Sequence, residues 1–150
     1  MRFVRRNLWI GVALFALPLP AAAQEMCAAL TRIAAAAREP VPFASLRDGP
    51  LVPGYHYCRV QTGTAARAGE VFCHQTLAPK SLIAETVAAQ LRDCLGAVAA
   101  PRPQPWSPLE YRTADLAITV ESHCDERCHV GRLASLNIRR RQADGAPPAR

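Results

Sequence analysis

Six cysteines in a chain of 150 residues constrain the fold more than any other feature of this sequence. They are spread along the chain, at positions 27, 58, 73, 94, 124 and 128. An even number of cysteines in an exported chain is typical of a disulfide framework. We therefore expect three disulfides, and a fold that brings distant segments together in pairs.

The N-terminus predicts export. A short head with three arginines precedes an apolar run over residues 8–19, and three alanines end at Ala23. These are the parts of a secretory signal, with cleavage expected after Ala23. The apolar run is shorter than the roughly 20 residues needed to cross a bilayer, so no membrane anchor is expected in the mature form. The pair Arg5-Arg6 leaves a twin-arginine signal as an alternative. The expected location is periplasmic or secreted.

After the predicted signal, the sequence indicates one domain over residues 24–141. Residues 142–150 have two prolines and no apolar periodicity, so we expect them to form a disordered tail. The predicted signal carries three of the eighteen basic residues and none of the twelve acidic ones, which leaves a net charge of +3 on the rest. The only basic run, residues 139–141, has no basic helix or aromatic platform beside it. We expect no nucleic-acid partner.

Two segments have the apolar periodicity of helices. Residues 24–38 repeat apolar side chains at spacings of three and four before Pro40, and residues 79–95 do so before Gly96. Cys27 lies in the first turn of the first helix, and Cys94 lies in the last turn of the second. Antiparallel packing of the two helices would bring these cysteines together, so we predict a Cys27–Cys94 disulfide.

Residues 55–61 and 70–76 are rich in aromatic and β-branched residues and flank a loop of small residues, which predicts a β-hairpin. Cys58 and Cys73 would face each other across it and form a second disulfide. A proline-rich connector over residues 101–108 is expected to place Trp106 over the core. Three strands are then predicted at about residues 109–113, 116–122 and 130–139. The order α-β-β-α-β-β-β predicts an α+β domain, with two antiparallel helices on one face of an antiparallel sheet of about five strands.

The turn of the last predicted hairpin has several candidate functional side chains in succession. Its sequence is His123-Cys124-Asp125-Glu126-Arg127-Cys128-His129. If Cys124 faces Cys128, Ile118 faces Ala134 and Leu116 faces Leu136. The two cysteines then share the apolar face and form a third disulfide, while His123 and His129 face each other on the opposite side.

Three metal or haem hypotheses arise from this hairpin. A zinc site of two cysteines and two histidines needs four converging ligands, which the predicted alternation does not provide. The histidine pair His123 and His129, with Glu121 nearby, would suit copper or zinc. The string from Cys124 to His129 differs by one inserted residue from a C-x-x-C-H haem attachment signature. We expect no cofactor, and we keep the histidine pair as the candidate metal site.

The sequence contains no motif of an enzyme class. The nearest candidates for a nucleophile are two cysteines, Cys58 near His56 and Cys73 beside His74. We expect these two cysteines to form a disulfide, which would leave no reactive thiolate. We therefore expect a non-enzymatic binding or interaction domain, similar in role to an inhibitor or immunity protein, that acts on another envelope protein. Its expected contacts are Asp125, Glu126 and Arg127 in a rigid turn. A periplasmic metal-handling protein and, third, a small hydrolase are the alternatives.

Overall fold

The computed structural model describes residues 20–64, 67–124 and 132–141. In chain order, the elements are α1 (Ala21–Ala37), β1 (Tyr57–Gln61), β2 (Glu70–Gln75), α2 (Ala84–Leu95), β3 (Val98–Ala99), β4 (Leu109–Arg112), β5 (Leu116–Cys124) and β6 (Arg132–Arg140). All pairings between neighbouring strands are antiparallel. The predicted α+β class is confirmed, with six strands rather than about five.

Helix α1 buries the predicted stripe against the sheet. Met26, Leu30, Ile33 and Ala37 are at most 4% exposed, as their spacing requires of one helix face. The helix begins at Ala21, three residues before the predicted start. It ends at Ala37, before Pro40.

Helix α2 is shorter than predicted, because the segment from residue 79 does not form one continuous helix. A 3-10 turn spans Lys80–Leu82, and Ile83 is extended with a ψ of 137°. At the start of the helix the Ser122 hydroxyl oxygen on β5 accepts the Ala84 N–H at 3.2 Å. Gly96 ends the helix with a φ of +62°, the left-handed conformation that glycine adopts without a steric penalty.

The sheet has the strand order β1-β2-β6-β5-β4-β3. The sixth strand, β3, was not predicted because it has only two residues and pairs with β4 alone. The last strand in sequence lies between the first hairpin and the β4-β5 pair. Strand β6 is therefore the middle one of the five longer strands.

The predicted register of the last hairpin is wrong by four residues. Ile118 pairs with Ile138 rather than Ala134, and Leu116 pairs with Arg140 rather than Leu136. A shift by an even number keeps every side chain on its face, so alternation cannot distinguish the two registers. In the observed register Ile118, Ile138 and Val71 lie in one row across β5, β6 and β2.

This register also changes the partners at the hairpin's tip. His123 lies opposite Leu133 rather than His129, and Cys124 lies opposite Arg132 rather than Cys128. Residues 125–131 connect the two strands and are outside the described residues. The predicted Cys124–Cys128 disulfide therefore stays a prediction.

The other two predicted disulfides are present. Cys27–Cys94 joins the first half of α1 to the last turn of α2, and Cys58–Cys73 joins facing residues of β1 and β2. Two disulfides in one fold indicate an oxidising environment. In the described part of the chain, neither helix combines the length and the apolar character needed to cross a membrane.

The core lies between the helices and one sheet face. Cys58, Val71, Ile118, Leu136 and Ile138 supply that face from four strands and are at most 1% exposed. The connection after α1 adds Phe43 and Leu46, which are also buried. The opposite face of the sheet is not covered by either helix, and we call it the outer face.

Candidate functional site

The outer face is defined by strand alternation across the register. Its side chains come from Tyr57, Arg59 and Gln61 on β1, Glu70, Phe72 and His74 on β2, Leu133, Ser135, Asn137 and Arg139 on β6, Ala117, Thr119, Glu121 and His123 on β5, and Glu110 and Arg112 on β4. An antiparallel sheet with one covered face normally turns polar side chains outward. Here the outward set includes two aromatic rings and a leucine.

Three rings form a cluster at one end of the outer face. His74 lies 6.3 Å from Phe72 in a stacked arrangement and 6.3 Å from Tyr57 in a tilted one, measured between ring centroids. Phe72 is 39% exposed and Tyr57 38% exposed. Rings at these distances and angles stabilise each other, so the cluster presents a fixed aromatic surface.

Asp48 fixes the outer edge of this cluster. Its carboxylate accepts the Val60 N–H at 2.7 Å and the Tyr57 hydroxyl at 3.1 Å. The Val60 hydrogen bond and then the Tyr57 hydrogen bond lower the pKa of Asp48, and the same Asp48 contact raises the pKa of Tyr57. Tyr57 is therefore held in place as a neutral phenol.

Trp106 and Leu133 extend the apolar surface along the same end of the sheet. Trp106 is 79% exposed, so the prediction that it covers the core is wrong. The reason is local: the Arg102 guanidinium donates two hydrogen bonds to the Ser107 carbonyl, at 3.0 and 2.7 Å, and closes the connector into an outward turn. Trp106 and His123 line one depression of about 190 Å³. Leu133, opposite His123, is 45% exposed.

We call this surface the aromatic end: Tyr57, Phe72, His74, Trp106, His123 and Leu133. It lies where β5 stops at Cys124 and β6 starts at Arg132. Asp125, Glu126 and Arg127, the predicted partner contacts, connect these two strands and lie outside the described residues. The opposite end of the sheet is polar, with Arg139 paired to Glu70 at 2.9 Å.

His123 is the described member of the predicted histidine pair, and His129 lies outside the described residues. The Nε2 atom of His123 is 3.5 Å from Glu121 Oε2. The same oxygen accepts the Ser135 hydroxyl at 3.4 Å. Among the residues described, no cluster of three or more histidine, cysteine or acidic side chains is arranged to bind a metal.

The cysteine nucleophiles considered from sequence are not available for catalysis. Cys58 and Cys73 are bonded to each other and 0% exposed, so neither offers a thiolate. Ser135 donates its proton toward Glu121, and no histidine hydrogen bond to its oxygen is present in the described structure. A serine needs an adjacent base to act as a nucleophile.

Both edges of the sheet are protected against strand addition. At β1, Cys58 exchanges two backbone hydrogen bonds with Gly49, at 2.7 and 2.9 Å, and Asp48 accepts the Val60 N–H. The other edge strand, β3, has two residues. Short and covered edges prevent pairing with another chain. The outer face therefore offers a partner more surface than either edge of the sheet.

A shallow depression of about 600 Å³ lies on the other side of the molecule, between α1 and residues 50–55. Tyr55 lines it, is 3% exposed, and its hydroxyl has no hydrogen-bond partner among the described residues. Burial raises the pKa of Tyr55. The hydroxyl itself is shielded from solvent, so it is not accessible from this depression.

Alternation alone could have revealed the aromatic end. The predicted pairing of Cys58 with Cys73 already places Tyr57, Phe72 and His74 on the opposite face. What the sequence did not reveal is that no helix covers that face, and that Trp106 is exposed beside His123 at the same end of the sheet.

The fold and this surface define a class of protein, a disulfide-bonded α+β domain with one uncovered and partly aromatic sheet face. No protein-family model, curated protein or solved structure matches this chain.

Proposed function

We propose that this chain is an exported protein-interaction domain that acts on another protein of the bacterial envelope, in the manner of an inhibitor or immunity protein. The observation that carries the proposal is the aromatic end of the uncovered outer face. The secretory signal pattern of residues 1–23 and the two disulfides support a periplasmic location.

The composition of the aromatic end suits a protein interface. Aromatic side chains are enriched among the few residues that dominate binding energy in such interfaces, with tryptophan and tyrosine the most frequent. Trp106, at 79% exposed, and Phe72, at 39% exposed, each have apolar area that a partner would bury. Fully burying one large apolar side chain contributes about 1.5–3 kcal/mol.

The rigidity of the aromatic end supports the same proposal. The Cys58–Cys73 disulfide lies directly beneath it, since Phe72 and His74 flank Cys73 in β2. The turn that carries Trp106 is closed by the Arg102 hydrogen bonds. A surface that is already ordered loses less conformational entropy on binding.

Site-specific photo-crosslinking in living cells tests this proposal. A photoreactive side chain at position 72 or 106 is expected to cross-link one envelope protein, and the same side chain at the exposed helical position 92 is not. Leu133→Asp, which places a charge in the aromatic end, is expected to abolish the cross-link. Equal labelling from all three positions, or none from positions 72 and 106, would refute the proposal.

A second candidate function is metal handling through His123. The 3.5 Å separation of His123 Nε2 from Glu121 Oε2 favours it, because two ligand atoms of one copper or zinc ion approach each other to about this distance. His129 would complete the set. Calorimetric titration with copper and zinc is expected to give binding that His123→Ala removes and His56→Ala, a change at another exposed histidine, does not. Metal binding of unchanged affinity in the His123→Ala variant would exclude this site.

A further inference from the structure

Arginines from several segments meet at the end of the sheet opposite the aromatic end. The Arg38 guanidinium, just after α1, pairs with Asp115 at 2.6 Å. The backbone N–H of Arg141 donates to the Asp115 carbonyl at 2.7 Å. Arg139 and Arg112 lie two strands apart in one row of the sheet. We call this surface the basic end, and its arginines are Arg38, Arg67, Arg112, Arg139, Arg140 and Arg141.

The loop between β1 and β2, which carries Arg67, belongs to the same end. Glu70, the first residue after this loop, pairs with Arg139 at 2.9 Å. The Gly63 N–H in the loop donates to the Pro42 carbonyl at 2.8 Å. The loop therefore lies between the end of β6 and the segment that follows α1.

The basic end carries an excess of positive charge. Three carboxylates accompany its six arginines, those of Glu39, Glu70 and Asp115. The excess of three positive charges equals the net charge of +3 on residues 24–150, so the charges elsewhere in those residues balance. Among the described residues, Arg112 and Arg140 have no side-chain hydrogen bond or ion pair, and both are exposed.

Two exposed valines lie among these arginines. Val98 is 69% exposed and pairs with Arg112 across β3 and β4. Val41 is 48% exposed and follows Arg38 by three residues. In the described structure the exposed aromatic rings, on which nucleobases could stack, lie at the aromatic end instead. Cations with a few apolar side chains suit an anionic bilayer, whose phosphates attract the cations while apolar groups enter the headgroup region.

From this composition we infer that the basic end binds the surface of an anionic lipid membrane, through the phosphate groups of the lipid headgroups. Arginine suits this contact, because its planar guanidinium donates two parallel hydrogen bonds to one phosphate. The inference goes beyond the proposed function, since it concerns a different surface. It rests on the proposed function only in taking the exported location, which makes a lipid the source of the phosphate.

Binding through the basic end would orient the molecule. Strand β5 runs from Leu116 at the basic end to Cys124 at the aromatic end. A strand of this length spans up to about 27 Å. That distance exceeds the Debye length of about 8 Å at physiological ionic strength. The aromatic end would therefore point away from the membrane and remain open to a protein partner.

The charge excess predicts weak and reversible binding. One basic side chain close to an anionic surface increases binding by a factor of about five. An excess of three charges therefore gives roughly a hundredfold preference for anionic over neutral lipids. The preference is expected to fall at high salt, because the arginines are accessible to solvent.

Flotation of the purified exported protein with lipid vesicles tests the inference. The protein is expected to float with vesicles that contain phosphatidylglycerol and to stay behind with vesicles of pure phosphatidylcholine. Arg112→Glu and Arg140→Glu are each expected to weaken binding by at least about tenfold. Lys80→Glu, an equal change of charge in the exposed turn before α2, is expected to leave binding unchanged.

If either arginine variant loses its native circular dichroism spectrum, Arg112→Gln and Arg140→Gln replace them, each with an expected loss of about fivefold. Equal binding to anionic and neutral vesicles overturns the inference. So does a Lys80→Glu variant that binds as weakly as Arg112→Glu.

Two comparisons separate a lipid surface from other sources of phosphate. Val98→Thr, a change of nearly the same shape, is expected to weaken vesicle binding by roughly threefold and to leave any binding to duplex DNA unchanged. Inorganic phosphate is expected to release no more protein from vesicles than sodium chloride of equal ionic strength. Tighter binding to duplex DNA than to anionic vesicles, or specific release by phosphate, overturns the choice of a lipid.

The vesicle and cross-linking experiments fail independently. A protein that cross-links an envelope protein through position 72 but does not bind anionic vesicles overturns the membrane inference and supports the proposed function. A protein that binds vesicles with the expected charge dependence, but cross-links no other protein, supports the membrane inference and contradicts the proposed function.

Discussion

The Cys27–Cys94 disulfide is expected to be the larger of the two covalent contributions to stability. It closes a loop with a sequence separation of 67, and the Cys58–Cys73 disulfide closes one of 15. The second bridge lies inside the first loop and shortens it in the unfolded chain to about 52 residues. The chain-entropy model then gives about 4.1 kcal/mol for Cys27–Cys94 and about 3.0 kcal/mol for Cys58–Cys73.

The double variant Cys27→Ala/Cys94→Ala measures this contribution with little interference from packing. Both cysteines are only partly buried, whereas Cys58 and Cys73 are 0% exposed, and replacing that pair would also leave a cavity. In urea unfolding followed by circular dichroism, the variant is expected to lose about 4 kcal/mol in the free energy of unfolding. The dependence of that free energy on urea should become steeper, because the unfolded chain exposes more surface.

The reasoning would be refuted by a variant that keeps its native spectrum and loses less than about 2 kcal/mol. The wild-type protein in reducing agent is not an equivalent control, because it also lacks the Cys58–Cys73 bridge. The single variant Cys27→Ala is the matched control for the lost packing at one site. Its free energy of unfolding should lie close to that of the double variant, since both lack the same cross-link.

Other predictions follow from single residues. Leu136→Ala, at 0% exposure in β6, is expected to cost about 2–5 kcal/mol in urea unfolding, while the same change at Leu133, on the outer face of that strand, costs less than about 1 kcal/mol. Gly96→Ala is expected to cost about 1 kcal/mol for its φ of +62° alone. Gly69→Ala should cost more, because its Cβ would also lie 2.6 Å from a backbone nitrogen. The lowered pKa of Asp48 means that its contribution to stability is present above the unfolded pKa and is lost as pH falls through the folded pKa. Asp48→Asn should therefore flatten the fall of the urea midpoint below about pH 4.

The helices and the cysteine pairs were predictable because they depend on local rules. Leu30 and Ile33 share a helix face by their spacing alone, and Gly96 ends α2 by its conformational freedom. Two disulfides followed from the placement of their cysteines at helix ends and on facing strands. The candidate site was predictable only in part, since His123 lies at the aromatic end but Trp106 was expected to cover the core.

What the sequence determined by itself is the set of longer elements and the face on which each of their side chains lies, because both depend on periodicities of a few residues. What only the tertiary structure decided is how those faces meet. The tertiary structure pairs β6 with β2, some 65 residues apart in the chain, and it adopts one of two β5-β6 registers that alternation leaves equal. The packing of both helices on the same side of the sheet left Tyr57, Phe72 and Leu133 uncovered. Neither outcome is encoded in any single segment, because each depends on contacts between segments that are distant in sequence.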